Sequence, residues 1–122
     1  MMQAGSDWLL DQLKESASRP VVYKRLAVEI PVQATVGRSP FRYADEFGGL
    51  RTEWTDRDFI IQVADLSDVG EPVRGDLIIE TDPGIQRTYE VKAPAAETPW
   101  RWSDVYRKAY RIHANLVASE AI

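Results

Sequence analysis

The strongest constraint on this chain is a run of alternating side chains between Val22 and Val36. Val22, Leu26, Val28, Ile30, Val32, Ala34 and Val36 hold every second position, interrupted only by Lys24, while Tyr23, Arg25, Glu29, Gln33 and Thr35 lie between them. A strand turns successive side chains to opposite faces. A period of two therefore predicts a half-buried strand or strand pair with the even residues inward. Pro31 falls on the outward set, where its missing N–H predicts an edge position or a bulge.

The same pattern recurs downstream. Thr52 to Ala64 reads as extended, with Phe59, Ile61 and Val63 on one face and Asp58 and Gln62 on the other. Leu77 to Glu80 leads into Asp82-Pro83-Gly84 and returns through Ile85, Tyr89 and Val91. Proline presets φ and glycine accepts a positive φ, so this is a tight hairpin. Gln86, Thr88, Glu90 and Lys92 leave one of its faces wet. Tyr110, Ile112, Ala114 and Leu116 alternate with Arg111, His113 and Asn115 in a closing strand. Gly37 to Leu50, with Ser39-Pro40 and Gly48-Gly49, reads as a loop carrying one short strand.

Ahead of the strands, Leu9, Leu10, Leu13 and Ala17 recur at helical spacing, with Ser6 or Asp7 as cap and Pro20 as stop. The expectation is a mainly β chain forming a single domain over residues 1–122. A short N-terminal α-helix at 6–19 precedes a small antiparallel β-barrel or sandwich of about six strands over 21–117, with loops at 38–50 and 93–109. A length of 122 residues suits one core.

Composition narrows the chemistry. The absence of cysteine removes disulfides and thiolate sites, and a lone His113 removes histidine-rich metal clusters within one chain. No apolar run exceeds three residues, whereas a spanning helix needs about 20. The expectation is a soluble intracellular domain with no membrane contact and no secretory leader. With 15 basic residues against 19 acidic ones, the chain is poorly charged for gripping phosphates.

Candidate catalytic groups are sparse. His113 sits on the polar face of the last strand, with no acid or nucleophile near it in sequence, and reads as structural. The serines lack a nucleophile elbow, and Gly48-Gly49 lacks the lysine and helix of a phosphate loop. Asp56 and Asp58 alternate on one strand face, as a divalent-ion site would ask, but Arg57 lies between them and a solvated or salt-bridged face fits better. No cofactor or metal is expected.

The segment from Trp100 to Arg111 is the most unusual. It interleaves Trp100, Trp102, Tyr106 and Tyr110 with Arg101, Arg107, Lys108 and Arg111. Three readings stand: a platform that stacks single-stranded nucleic acid through Trp100, Trp102, Tyr106 and Arg107, a protein interface, or a lid over one end of the barrel. The interface reading takes Trp100, Arg101, Trp102, Asp104, Tyr106 and Arg107, with Phe41 and Tyr43 from the earlier loop, as contact residues.

Several short motifs follow one another in order. They are Val22-Tyr23-Lys24-Arg25, Val32-Gln33-Ala34-Thr35-Val36-Gly37, Arg57-Asp58-Phe59-Ile60-Ile61 with Ala64-Asp65-Leu66, and Pro72-Val73-Arg74-Gly75-Asp76-Leu77-Ile78-Ile79. Tyr89-Glu90-Val91, Trp100-Arg101-Trp102-Ser103-Asp104 and Arg111-Ile112-His113 complete the series. Across about residues 8–117 this succession resembles the small head–tail joining proteins of tailed bacteriophages and prophages, of the head-closure or stopper group. The resemblance implies a β-barrel subunit of a ring in the virion neck, assembled in the host bacterial cytoplasm. Its partners would be copies of itself, a portal or adaptor protein, and a tail or tail-terminator protein. Double-stranded DNA would pass through the lumen without sequence recognition, and no catalytic residue is implied. The N-terminal helix departs from the minimal family pattern.

Ring size follows from domain size. A compact body of this length is roughly 35 Å across, so six in contact leave a hole of roughly 30 Å, while twelve leave one several times wider. Six-fold closure is the expectation.

Overall fold

A computed structural model describes residues 18–44, 47–94 and 97–122, with the backbone alone at Tyr43 and Glu53. Among the described residues the chain is mainly strand: β1 (Ser18–Arg25), β2 (Val28–Gly37), β3 (Pro40–Ala44), β4 (Leu50–Trp54), β5 (Arg57–Gln62), β6 (Leu77–Asp82), β7 (Ile85–Val91), β8 (Trp100–Trp102) and β9 (Ala109–Ala121). A 3-10 turn, Val63–Leu66, follows β5. The helix expected at 6–19 falls on residues outside the described ones, except at its end. There Ser18 and Arg19 begin β1, opposite Thr35 and Ala34. Ladder pairing claims these two residues, and Pro20 lies inside the strand opposite Gln33 rather than ending a helix.

The sheet runs β5-β2-β1-β6-β7-β9, and β5 pairs back to β9, closing a six-stranded antiparallel barrel. Closure decides between barrel and sandwich, and it removes most of the unpaired edges that an open sheet exposes. β8 adds beside β9, while β3 and β4 pair with each other as a separate hairpin. The loops expected at 38–50 and 93–109 therefore carry strands of their own, and the barrel's last strand runs on to Ala121.

The alternation from Val22 to Val36 is a strand pair, but its phase changes at the turn. In β2 the even residues Val32 and Ala34 point inward; in β1 the odd residues Val21 and Tyr23 do. The intervening turn at Leu26-Ala27, with Leu26 at φ 54, shifts the phase. Register makes this consistent, because Val21 sits opposite Val32 and Tyr23 opposite Ile30. Pro31 faces Val22 in that ladder, and β5 reaches β2 only at Thr35–Gly37. Among the described residues no strand pairs with Pro31 on its other edge, as its missing N–H demands.

Val21, Tyr23, Val32, Ala34, Phe59, Ile61, Ile78, Tyr89, Val91, Tyr110, Ile112 and Ala114 fill the interior, with Leu66 closing over them. Phe59 meets Tyr89 edge-on at 5.2 Å. Val63 does not continue β5, as the extended reading expected, but starts the 3-10 turn and packs beside the core. Leu116 stays 44 % exposed because β9 has by then run past β5. At Pro83-Gly84 the hairpin turns as the sequence predicts, with Gly84 at φ 85.

Ionic clusters seal the two ends. Where β6 finishes, the buried Glu80 receives Arg19 at 3.0 Å, Arg57 at closer range and Arg87 at 3.5 Å, and Arg87 also holds Asp82 at 2.8 Å. Where β6 begins, the Tyr23 hydroxyl donates to buried Asp76, and Arg25 Nη2 reaches the same carboxylate at 2.8 Å. Arg25 also donates to the carbonyls of Val69 (2.5 Å) and Glu71 (2.7 Å), fixing the connection before β6. Pairs of this kind add little net stability against well-packed apolar residues, but losing one partner strands a buried charge.

Candidate functional site

The projecting hairpin, β3 and β4, begins and ends at a buried polar knot on the outside of the barrel. Thr55 N–H donates to the Ser39 carbonyl at 3.0 Å, and Ser39 N–H donates to Thr55 Oγ1 at 3.0 Å, so the two ends are locked together. Arg38 Nε donates to the Thr55 carbonyl at 3.0 Å, and its guanidinium lies 5.6 Å from the Trp54 ring centroid. Asp58 sits beneath. It accepts from Ser39 Oγ, from Thr55 Oγ1 at 2.8 Å, from Arg111 Nε at 2.7 Å and from His113 Nδ1 at 3.0 Å. Phe41 closes the knot, its ring edge-on to His113 at 4.9 Å.

Burial alone would raise the Asp58 pKa. The donors His113, Ser39, Thr55 and Arg111 overcome that, and hold its carboxyl well below the usual carboxylate range. A carboxylate fixed on Nδ1 also sets the imidazole tautomer. Gly37 makes room for the arrangement: a Cβ there would lie 2.9 Å from Arg111 Nη2, which donates to the Arg38 carbonyl at 2.9 Å.

Asp58 is salt-bridged, as the sequence reading preferred, and it is the acid that His113 lacks nearby in sequence. Both lie on the outer face of their strands, as alternation says, yet both are buried because the hairpin's root covers them. β5 pairs Asp58 directly with His113 across the ladder, an acidic partner invisible in linear sequence. Ser39, Asp58 and His113 do not form a nucleophilic relay. In such a relay the imidazole stands between hydroxyl and carboxylate, whereas here the carboxylate stands between the other two. Asp56 and Asp58 do not form an ion site either, since Asp56 Oδ2 accepts from Leu116 N–H at 2.8 Å. No group of acids or histidines suited to a metal occurs among the described residues.

Beside the knot lies the aromatic strand. Trp100 is opposite Ile112 and Trp102 opposite Tyr110, so both tryptophans lean toward the barrel rim. Their rings meet edge-on at 4.9 Å; Trp100 is edge-on to Tyr110 at 4.8 Å, and Trp102 stacks on Tyr110 at 5.4 Å. Trp100 packs on the core while Trp102 stays 37 % exposed. Together with Pro72, Val73 and Pro99 they line an open groove of about 780 Å³, to which Glu71, Arg74, Thr98 and Arg101 also contribute.

The other candidate contact residues are dispersed. Arg101 reaches back toward Ser39 at 3.4 Å. Asp104 accepts from Lys108 N–H at 2.9 Å and Ala109 N–H at 3.2 Å and so shapes the turn before β9. Tyr106 is 78 % exposed on that turn, and Arg107 holds a φ of 58 there. Phe41 lies inward on the knot rather than outward, and Tyr43 lies on β3 opposite Arg51. Sequence reasoning missed Ser39, Thr55 and Arg111 at the knot and Pro72 and Arg74 at the groove. A buried-looking aspartate on an otherwise polar strand face was the available signal for the first group. The second had none.

The whole length agrees with one family. A family model described as phage head-tail joining protein matches residues 1–121. No curated protein matches the chain.

Proposed function

This chain belongs to the phage head-tail joining family, and from that premise we propose that it is a non-catalytic ring subunit of the neck, placed between portal and tail. Neighbouring copies close the ring, with six-fold closure favoured by domain size. Portal or adaptor and tail or tail-terminator proteins cover its two faces, and double-stranded DNA is retained in, and passes through, the lumen without sequence recognition. Assembly takes place in the host cytoplasm. A net charge of −4 suits a lumen along which DNA slides rather than sticks.

The observation that carries this reading, beyond the family, is the combination of a closed barrel with a hairpin locked at its root. A barrel leaves few edges for uncontrolled pairing, and a fixed projection is what a subunit needs to meet its neighbours in one geometry. The competing reading, a platform for single-stranded nucleic acid, requires free aromatic faces. Trp100 spends its faces on the core, Trp102 and Tyr110, which speaks against it.

Trp102→Ala in the phage or prophage that encodes the chain tests the proposal. The variant loses the stacking of Trp102 on Tyr110, so circular dichroism first checks that it folds; joined particles should then fall while oligonucleotide affinity in solution stays unchanged. Normal particle yield, or quenching of tryptophan fluorescence by an oligonucleotide at low salt, argues for the other reading.

A further inference from the structure

We propose that the far end of β9 in one copy adds to the outer edge of β4 in the next, so that a shared antiparallel sheet joins neighbours. This inference rests on the ring reading above and names the contact that builds the ring. β5 follows one edge of β9 only as far as Ala114, while β7 continues along the other edge to Ala121. Just beyond β5, Leu116 N–H is taken by Asp56. Val117 is then the extra residue of a bulge, since Leu116 faces Tyr89 and Ala118 faces Thr88. Further on, Ile122 N–H donates to the Gly84 carbonyl at 3.1 Å, on the β7 side. Ladder N–H groups alternate between the two edges of a strand. Those of Ala118 and Glu120 therefore also face β7, and those of Ser119 and Ala121 face away from it. Among the described residues no strand pairs with that second edge, and every residue from Leu116 to Ala121 is exposed.

The chemistry of this edge specifies its occupant. A row of alternating donors and acceptors is matched by another strand, and proteins usually blunt such an edge with lysine or proline. Residues 117–121 contain neither. The same chain carries the complement. Among the described residues β3 and β4 pair only with each other, which leaves each an outer edge. β3 starts at Pro40, which has no N–H to give, whereas β4, Leu50–Trp54, contains no proline. Five residues of β4 thus meet the five at 117–121. Set antiparallel with Thr52 opposite Ser119, this register places Arg51 opposite Glu120 and Trp54 opposite Val117. These are an ion pair and an apolar pair of the kinds that stabilise sheets. All four residues are exposed, and neither Arg51 nor Glu120 holds an ion pair among the described residues. The two strands are different patches of one subunit, so the contact is head-to-tail, the kind that closes into a ring when the rotation permits.

Two variants of the full-length chain, each made in the phage background, test this contact. Ser119→Pro removes an N–H that faces the free edge and none that β7 uses. Circular dichroism of the purified chain should be unchanged while joined particles are lost; a folded variant that joins normally overturns the proposal. The chain contains no cysteine, so Thr52→Cys with Ser119→Cys, both at exposed positions, decides the matter even where the proline unfolds the chain. Residues opposite one another in a ladder lie within disulfide reach. Oxidised particles should give a ladder of multimers on a non-reducing gel, and each single-cysteine variant should stay monomeric. A disulfide closed within one chain, or a dimer formed by Ser119→Cys alone, overturns the proposal. Amine cross-linking of the same particles separates this contact from the ring reading. Multimers by amine cross-linking but none by disulfide overturn the β4–β9 contact and leave the ring intact, and no multimers by either route overturn both.

Discussion

Asp58 and His113 stand 55 positions apart in the chain, and His113 Nδ1 lies 3.0 Å from Asp58 Oδ1 beneath the root of a hairpin neither belongs to. Strand pairing of β5 with β9 brings them together, and Ser39 and Thr55, at the ends of the hairpin, bind the same carboxylate. Barrel closure and hairpin position are therefore coupled through one buried group.

Removing that group should be costly. Asp58→Ala strands Arg111 and leaves the Ser39 and Thr55 hydroxyls without their acceptor, which predicts a loss of about 3–5 kcal/mol in urea unfolding. Asp58→Asn keeps the shape without the charge and should lose less. In both variants the emission of Trp54, next to the knot, should shift before global unfolding; an unchanged spectrum and midpoint would show that the knot does not hold the hairpin.

Acid should act on the same group. The folded pKa of Asp58 lies below its unfolded value of about 4, so between the two the unfolded chain binds more protons than the native one. This contribution is full above about pH 4 and is lost as pH falls below it. Unfolding free energy measured from pH 5 downward should drop more steeply for the parent chain than for Asp58→Asn. Parallel acid limbs would contradict the assignment.

At the opposite end of the barrel, Asp76 depends on Tyr23 and Arg25. Tyr23→Phe removes one donor to a buried carboxylate and should cost about 1.5–3 kcal/mol. Arg25→Met should cost more, because it also releases the carbonyls of Val69 and Glu71. Hydrogen exchange separates the two: amides of residues 69–76 should lose protection in Arg25→Met and keep most of it in Tyr23→Phe.

Gly84 provides a local test of the β6–β7 hairpin. Its φ of 85 lies in the left-handed region, where a Cβ costs roughly 1–2 kcal/mol. Gly84→Ala should lower the thermal midpoint by that equivalent without changing the circular dichroism of the folded chain. A neutral substitution would mean that the turn adopts another conformation.

The barrel was largely legible in the sequence because its strands are short, alternating and separated by turn chemistry that acts locally, as at Asp82-Pro83-Gly84. Pro31 even marked an edge that no described strand pairs with. The phase of β1 was not legible: a two-residue turn at Leu26-Ala27 resets which residues face inward, and Tyr23 goes inside because Asp76, 53 positions on, receives its hydroxyl. The knot escaped for the same reason. Nothing near His113 or Asp58 in sequence announces the other, and their outer strand face becomes interior only when Ser39 and Phe41 settle over it. The groove joins Pro72 and Val73 to Trp100 and Trp102 through the strand order β6-β7-β9-β8, a relationship that local patterning does not contain.

The central claim, that copies of this barrel are tiled into a closed neck ring, is tested most directly by counting them. Quantitative mass spectrometry of purified virions, with isotope-labelled peptides of this chain as standards, gives its copy number per particle. The account predicts about six copies, the number that leaves a duplex-sized hole between bodies of this diameter. Fewer than one copy per particle would contradict it.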